Sequence, residues 1–333
     1  MQLDTVRNIK QEWLSRVGPG DLDTGPRQQD EVVEPARAGV RVPDAGPVAL
    51  GAAPTGSGYA LAVRYRHDGP LVARLVQRLR DEVGDSEIDV RGIGAVRPQT
   101  GTAPPLTAER LRGRLRPLVP GCSLSHAADT AGTLGAVVRR GQERLLLTNA
   151  HVIARSGLAS PGEAVLQPGP ADGGAESDRV GSLDSWVAFD AHAANRVDAA
   201  LARLDPGTEA DPTGAPTTTA ELDGDEEVEK LGRTTGFTRG RVTAIEVDDV
   251  VVDYGDGVGL LRFDGQVEVA GAGGPFSRGG DSGSLVRLAG SGAAVGLLYA
   301  GSERGGPDGS GLTFCNDIST VLEALGVVLE GSG

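Results

Sequence analysis

Apolar positions along this 333-residue chain follow three successive patterns. Between residues 3 and 17, Leu3, Val6, Ile9, Trp13, Leu14 and Val17 share one helical face. Packing onto its own chain is the simplest use of that face, with an assembly surface as the other. Residues 18–56 are rich in Gly, Pro, Asp and Ala without a period, and read mostly as linker or loop. From Gly58 the pattern becomes regular. GYALAVRYRH alternates like a strand, GPLVARLVQRLRDEV has a helical apolar face, and SEIDVRGIGAVRP reads as a second strand. This predicts a β-α-β unit over about residues 57–98, followed by a Pro- and Arg-bearing connector with Arg110, Arg112, Arg114 and Arg116.

After Gly121 short apolar runs recur between turn signals: TLGAVVRR, RLLLTNAHVI, DAALARL, RVTAIEV, LLRFDGQVEV, GSLVRLA and AAVGLLYAG. Many short strands with Gly-rich turns predict a mainly β barrel or sandwich. DISTVLEALGVVL predicts a closing helix capped near Asp317 or Ser319. The chain therefore divides into 1–56, an N-terminal helix and flexible linker; 57–115, a small accessory unit with its connector; and 116–333, the β domain.

Composition sharpens this division. Aromatics are 3% of the chain, so the core must be built from Val, Leu, Ala and Ile. The 51 glycines favour tight turns over long helices. Up to Pro120 there are 17 basic and 15 acidic residues, a net of +2; the remainder has 15 and 31, a net of −16. A surface so acidic repels phosphate, which argues against sequence-independent nucleic-acid binding. No stretch approaches the roughly 20 apolar residues of a membrane span. The N-terminus has no apolar signal region, so a cytoplasmic protein is expected. Cys122 and Cys315 are too few for a disulfide framework and are expected as free buried thiols. Only two of the 32 basic residues are lysines, Lys10 and Lys230.

Three polar residues in the β region can do nucleophilic chemistry together. His151 lies where the run LLLTNAHVIA leaves a strand; Asp198 immediately precedes the strand DAALARL; Ser282 sits in the glycine-rich turn SRGGDSGSLV. A serine hydroxyl is a weak nucleophile until an imidazole takes its proton. The imidazole in turn needs a carboxylate to fix its tautomer. A glycine two residues before the serine lets the backbone turn, so that the amides of Gly280 and Ser282 can face a developing oxyanion. Alone, each fragment is a turn, a core histidine or a strand-edge acid. Their order carries the weight: His, then Asp 47 residues on, then Ser 84 residues after that.

In that order the motifs TNAHV, VDAAL and GGDSGSLV resemble the trypsin/chymotrypsin-like superfamily. The stretches RPLVPGCSLSHAADTAGTLGAVV, LQPGPADGG and KLGRTTGFTRGRV, with VGLLYAGS, resemble more closely the plant Narrow Leaf family and its bacterial relatives, which are trypsin-like serine peptidases. The resemblance covers about residues 116–330. It implies two antiparallel six-stranded barrels with His151 and Asp198 in the first, Ser282 in the second, and the cleft between them. It also implies His151 as general base, Asp198 as orienting acid, Ser282 as nucleophile, and Gly280 and Ser282 as oxyanion donors. Position 276 would lie at the base of the specificity pocket. Phe276 there, with no acid, speaks against cleavage after Arg or Lys. Tyr299, Ala300 and Gly301 would line the pocket and pair with substrate. Asn149 stands where the family has a small residue and reads as a turn support.

Secreted relatives mature when a freed N-terminus pairs with the acid beside the nucleophile, here Asp281. No cleavable propeptide is evident, so ordering by the N-terminal unit, a partner or a second copy is expected instead. No Cys/His spacing suits zinc, the acidic run ELDGDEEVE has poor calcium-loop spacing, and no cofactor is implied. The expected partner is a protein or peptide substrate. A protease-fold scaffold with low or partner-dependent activity is the other reading.

Overall fold

The computed structural model describes residues 1–16, 48–98, 109–255 and 257–330. Its N-terminal part contains a helix (Leu3–Arg16), β1 (Val48–Thr55), β2 (Gly58–Tyr65), a second helix (Pro70–Val83), β3 (Ile88–Gly92) and β4 (Val96–Pro98). Next come β5 (Ser123–His126), β6 (Gly132–Thr133), β7 (Ala136–Arg140), β8 (Glu143–Thr148), β9 (Ala164–Leu166), β10 (Arg179–Trp186) and β11 (Ala200–Leu204). The rest is β12 (Glu227–Gly232), β13 (Gly236–Asp248), β14 (Val250–Asp253), β15 (Leu260–Phe263), β16 (Gln266–Gly271), β17 (Leu285–Leu288), β18 (Ala294–Gly305), β19 (Gly311–Asp317), a helix (Ile318–Leu325) and β20 (Val328–Leu329).

Strands β12, β13, β16, β19, β18 and β17 pair in that order, and β17 returns to β12. All six contacts are antiparallel, so this barrel closes and leaves no free edge within the ring. The first sheet runs β20-β7-β8-β11-β10-β9-β5-β6 and curls without closing. The architecture is thus mainly β, the double-barrel arrangement expected above, with a closed barrel beside a curled half-barrel.

Strand β8 shows why the run LLL lacks the usual polar alternation. Leu146 faces the interior of the curled sheet with Leu124, Val137 and Val165. Leu145 and Leu147 face the other way, against Leu285 and Leu297 of the closed barrel and Ile318 and Val321 of the last helix. Both faces are apolar because both are buried, and each fully buried Leu contributes roughly 1.5–3 kcal/mol. The last helix is capped by Asp317, whose carboxylate accepts the Thr320 amide at 2.8 Å, and it ends at Gly326 with φ 63°.

The N-terminal elements are joined to the closed barrel. Residues 48–55, read from sequence as linker, form β1 instead; VALGAAPT shows no alternation because its first six residues are all buried. β1 pairs with β2 across a tight turn and with β13 on its other side, with Leu50 opposite Asp248 and Ala52 opposite Ile245. β2 and β3 are parallel, with Leu61 opposite Ile88, and the helix Pro70–Val83 crosses between them. The first helix buries Val6 and Trp13 in the same cluster as Leu50, Leu61, Val242 and Leu298. Its apolar face is therefore spent on its own chain. Arg7 Nη2 lies 2.6 Å from Glu246 Oε1, and Lys10 Nζ lies 2.8 Å from Asp248 Oδ2. The other linker residues, 18–47, lie outside the described part. Among the described residues no helix is long and apolar enough to cross a membrane.

A buried ionic cluster fastens this junction. Arg64 of β2 and Glu268 of β16 are both fully buried and paired at 2.7 Å, and Arg64 also reaches Asp89 of β3 at 2.9 Å. Thr243 Oγ1 of β13 donates to Glu268 at 2.8 Å. Burial alone would lower the pKa of Arg64, but the neighbouring carboxylates raise it above its usual value. Removing one partner strands the other in a medium that cannot solvate it. Arg64→Met should therefore cost about 3–5 kcal/mol in chemical denaturation, far more than an exposed Arg such as Arg241 would. A loss below about 1 kcal/mol would mean that water reaches Glu268.

Candidate active site

Strand pairing brings the first two residues together. β8 and β11 are antiparallel with Thr148 opposite Ala200, so Asp198 comes to lie beside the turn that starts at Ala150. Asp198 has no exposed surface and His151 is 4% exposed, so every lone pair of the carboxylate must be met by protein. Oδ1 accepts the amides of Ala150 at 2.7 Å and His151 at 3.2 Å. Oδ2 pairs with His151 Nδ1 and accepts the Tyr254 hydroxyl at 2.8 Å. The peptide around Asp198 is also held. Its N–H donates to Asn316 Oδ1 at 2.8 Å and its C=O accepts Asn149 Nδ2 at 2.6 Å. Asn316 lies on β19, so the closed barrel helps place a residue of the curled sheet. Asn149 is more than a turn support, since it fixes the acid directly.

Tyr254 follows β14 and was not singled out from sequence. Burial, and then the nearby Asp198 charge, raise its pKa well above the usual value, so its phenol remains a donor. Its ring meets His151 edge-on at 5.9 Å. With Nδ1 held by the carboxylate, Nε2 of His151 is buried and has no partner among the described residues. An imidazole arranged in this way carries its proton on Nδ1 and offers the Nε2 lone pair, the tautomer following from the hydrogen bonds around it.

The serine loop packs against β6 and the end of β8. Thr133 N donates to Ser282 O at 2.8 Å, and Thr148 Oγ1 donates to Thr133 O at 2.7 Å. Gly280 has φ 93° and a Cβ there would strike Arg233 and Thr234; Gly283 has φ 92° and a Cβ would strike Thr133 and Thr148. Neither position tolerates a side chain. Ser282 is fully buried, and its hydroxyl donates to the Tyr299 carbonyl at 3.2 Å rather than to His151 Nε2. Among the described residues the amides of Gly280 and Ser282 meet no acceptor.

Asp281, between them, is held from within the chain. It accepts the amides of Thr234 at 2.9 Å, Thr235 at 3.1 Å and Arg278 at 3.0 Å, and the Thr235 hydroxyl at 2.7 Å. Lys230 Nζ lies 3.4 Å away, and both side chains are fully buried. Desolvation lowers the Lys230 pKa, and Asp281 opposes that effect. The Met1 amino group is elsewhere, on Glu87 at 2.8 Å.

The remaining candidates are spread more widely. Phe276 is fully buried in the barrel cluster, 5.9 Å beneath Lys230 Nζ. Tyr299 packs its ring on Phe263 at 5.0 Å, while its carbonyl faces Ser282. Ala300 and Gly301 continue β18 away from the serine. His126 has a local role, with Nε2 2.8 Å from Glu163 and Nδ1 accepting the Ala128 amide. Cys122 and Cys315 are free and buried, and burial pushes the Cys122 thiol up to about 12. No cluster of three metal-ligating side chains occurs among the described residues. Lys230 stood out in the sequence only as one of two lysines. Tyr254 had no signal there.

No protein-family model and no curated protein matches this sequence. Solved structures do resemble the chain. Protease A of Thermobifida fusca is 19% identical with a TM-score of 0.45, over 64% of this chain and 97% of the other. A glutamic-acid-specific serine protease that uses a histidine triad in substrate binding is 21% identical with a TM-score of 0.44, over 64% and 100%. The Rv3671c protease of M. tuberculosis, in an inactive Ser-to-Ala form, is 15% identical with a TM-score of 0.36, over 61% and 85%. What this chain can do chemically must be read from its own residues.

Two substitutions probe the site without touching the serine. Lys230→Met should cost about 3 kcal/mol in chemical denaturation, because it leaves Asp281 buried without a cation. Tyr254→Phe should cost about 1.5–3 kcal/mol, the value of a hydrogen bond to a charged group. Wild-type midpoints in both variants would show that neither contact holds the site.

Proposed function

We propose that the chain is a serine endopeptidase acting through His151, Asp198 and Ser282. The observation that carries this reading is the imidazole: its Nδ1 is fixed by a fully buried carboxylate, and its Nε2 is buried and left without a partner among the described residues. In the proposed reaction Ser282 turns its hydroxyl from the Tyr299 carbonyl to His151 Nε2 and attacks a peptide carbonyl. His151 takes the hydroxyl proton, and Asp198 stabilises the cation that results. The oxyanion is met by the amides of Gly280 and Ser282. His151 returns the proton to the departing amine, and water then releases the acyl group by the reverse steps. The Lys230–Asp281 pair supports the loop in place of a freed N-terminus. Two free thiols suit a reducing, cytoplasmic setting. Residues 1–115 serve as the accessory part and 116–333 as the peptidase part, close to the Narrow Leaf type.

One observation favours a second reading, a binding module of protease fold: the Ser282 hydroxyl is engaged by Tyr299 and not by His151. A fluorophosphonate probe separates the two, because it modifies only an activated serine and needs no known substrate. Labelling at Ser282 is expected, lost in Ser282→Ala and reduced by orders of magnitude in His151→Ala. Hydrolysis of a cognate protein should fall about a millionfold in Ser282→Ala. A chain that neither labels nor cleaves would leave the binding module standing.

A further inference from the structure

Strand β18 runs past the serine loop with two flanks. One flank carries β19, from Gly296 opposite Asp317 to Gly305 opposite Gly311. The other carries β17, with Leu285 opposite Leu297, and that contact continues as Gly283 N donates to Leu298 O at 2.8 Å. There the pairing segment becomes the Ser282 loop and leaves. Beyond it, β4 takes over the same flank. Pro98 lies opposite Ala300, Arg97 opposite Gly301 and Val96 opposite Ser302, in antiparallel sense. The covered edge begins one residue past Tyr299, whose carbonyl accepts the Ser282 hydroxyl at 3.2 Å. β4 therefore runs toward Ser282 along the strand nearest to it.

A polypeptide that must offer a carbonyl to a buried serine needs its backbone fixed on both sides of that carbonyl. The strand edge nearest the serine can provide this by strand addition, with side chains alternating between slots. We propose that β4 is a built-in occupant of the edge along which a substrate segment lies, and that it displays the class of segment the edge accepts. This rests on the endopeptidase reading and extends it to specificity. The class is an extended segment with an aliphatic residue followed by a basic one. Val96 is 1% exposed and shares a buried cluster with Val252, Tyr299, Ala300 and Leu312. Arg97 is exposed, with Nη1 2.9 Å from Glu303 Oε1. The excess acidity of the β region suits the same basic position, apart from any pocket at Phe276.

Occupancy from within the chain has a kinetic meaning. A short tether holds its segment at an effective concentration of about millimolar, so a free segment must compete with it. The strand is also anchored behind: Ile93 O accepts the Arg304 amide at 3.3 Å, and Val96 pairs in parallel with Val252 of β14.

The test uses the full chain, the variants Arg97→Glu and Val96→Ser, and the hexapeptide of residues 93–98 (IGAVRP) added in excess. Two readouts are taken: the fluorophosphonate labelling rate at Ser282, and amide hydrogen exchange at Ala300–Ser302. Either variant is expected to label at least tenfold faster than the parent and to exchange faster at Ala300–Ser302, with the hexapeptide reversing both. Exchange across β12 and β13 verifies that each variant is folded, and Arg97→Glu alters only an exposed side chain. If parent and variant label and exchange alike, or the variant labels more slowly, β4 is a fixed structural strand and the proposal falls while the serine chemistry stands. If no protein labels, the endopeptidase reading falls and exchange alone decides. Faster exchange reversed by the hexapeptide keeps β4 as a displaceable ligand of this edge, and unchanged exchange overturns it.

Discussion

A carboxylate stripped of water has to recover its lost hydrogen bonds from the protein, and Asp198 recovers them from several distant places. Two amides and an imidazole come from the turn after β8, and a phenol comes from the segment after β14. The flanking peptide is clamped by Asn149 on one side and Asn316 on the other. Desolvation makes each of these contacts stronger than it would be at the surface and makes an unpaired carboxylate costly. The two barrels are therefore tied together at the acid, and the imidazole is oriented by groups belonging to both.

The same logic governs the other buried charges. Asp281 has Lys230 and three amides; Glu268 has Arg64 and Thr243. Each pair spans two elements that local propensity would not bring together. Such pairs add little net stability over apolar residues of the same size, but they penalise any arrangement that separates the partners. Lys230–Asp281 specifies the serine loop. Arg64–Glu268 specifies how the N-terminal strands meet the barrel.

The β region was legible in the sequence because short apolar runs and glycine turns repeat along it. His151 and Asp198, read as partners from their order, do meet in the structure; Ser282 was joined to them by order alone, and its hydroxyl meets Tyr299. β1 was not legible, because both faces of VALGAAPT are buried and its small residues resemble a linker. β4 is three residues long and owes its existence to the edges of β18 and β14, which only the folded chain provides. Tyr254 sits in an ordinary turn, and its role depends on where β14 ends. Phe276 follows a count backward from the serine, and its side chain lies inside the barrel with Lys230 above its ring.

Lys10 and Lys230 are the only lysines of the chain, and they are 7% and 1% exposed. Every other side-chain cation at neutral pH is a guanidinium or a protonated imidazole. Lysine-directed chemistry such as acetylation, ubiquitin attachment or amine cross-linking therefore finds almost no accessible side chain on the folded chain. A modified lysine on this protein would report that the fold had opened, at the first helix for Lys10 and at the serine loop for Lys230.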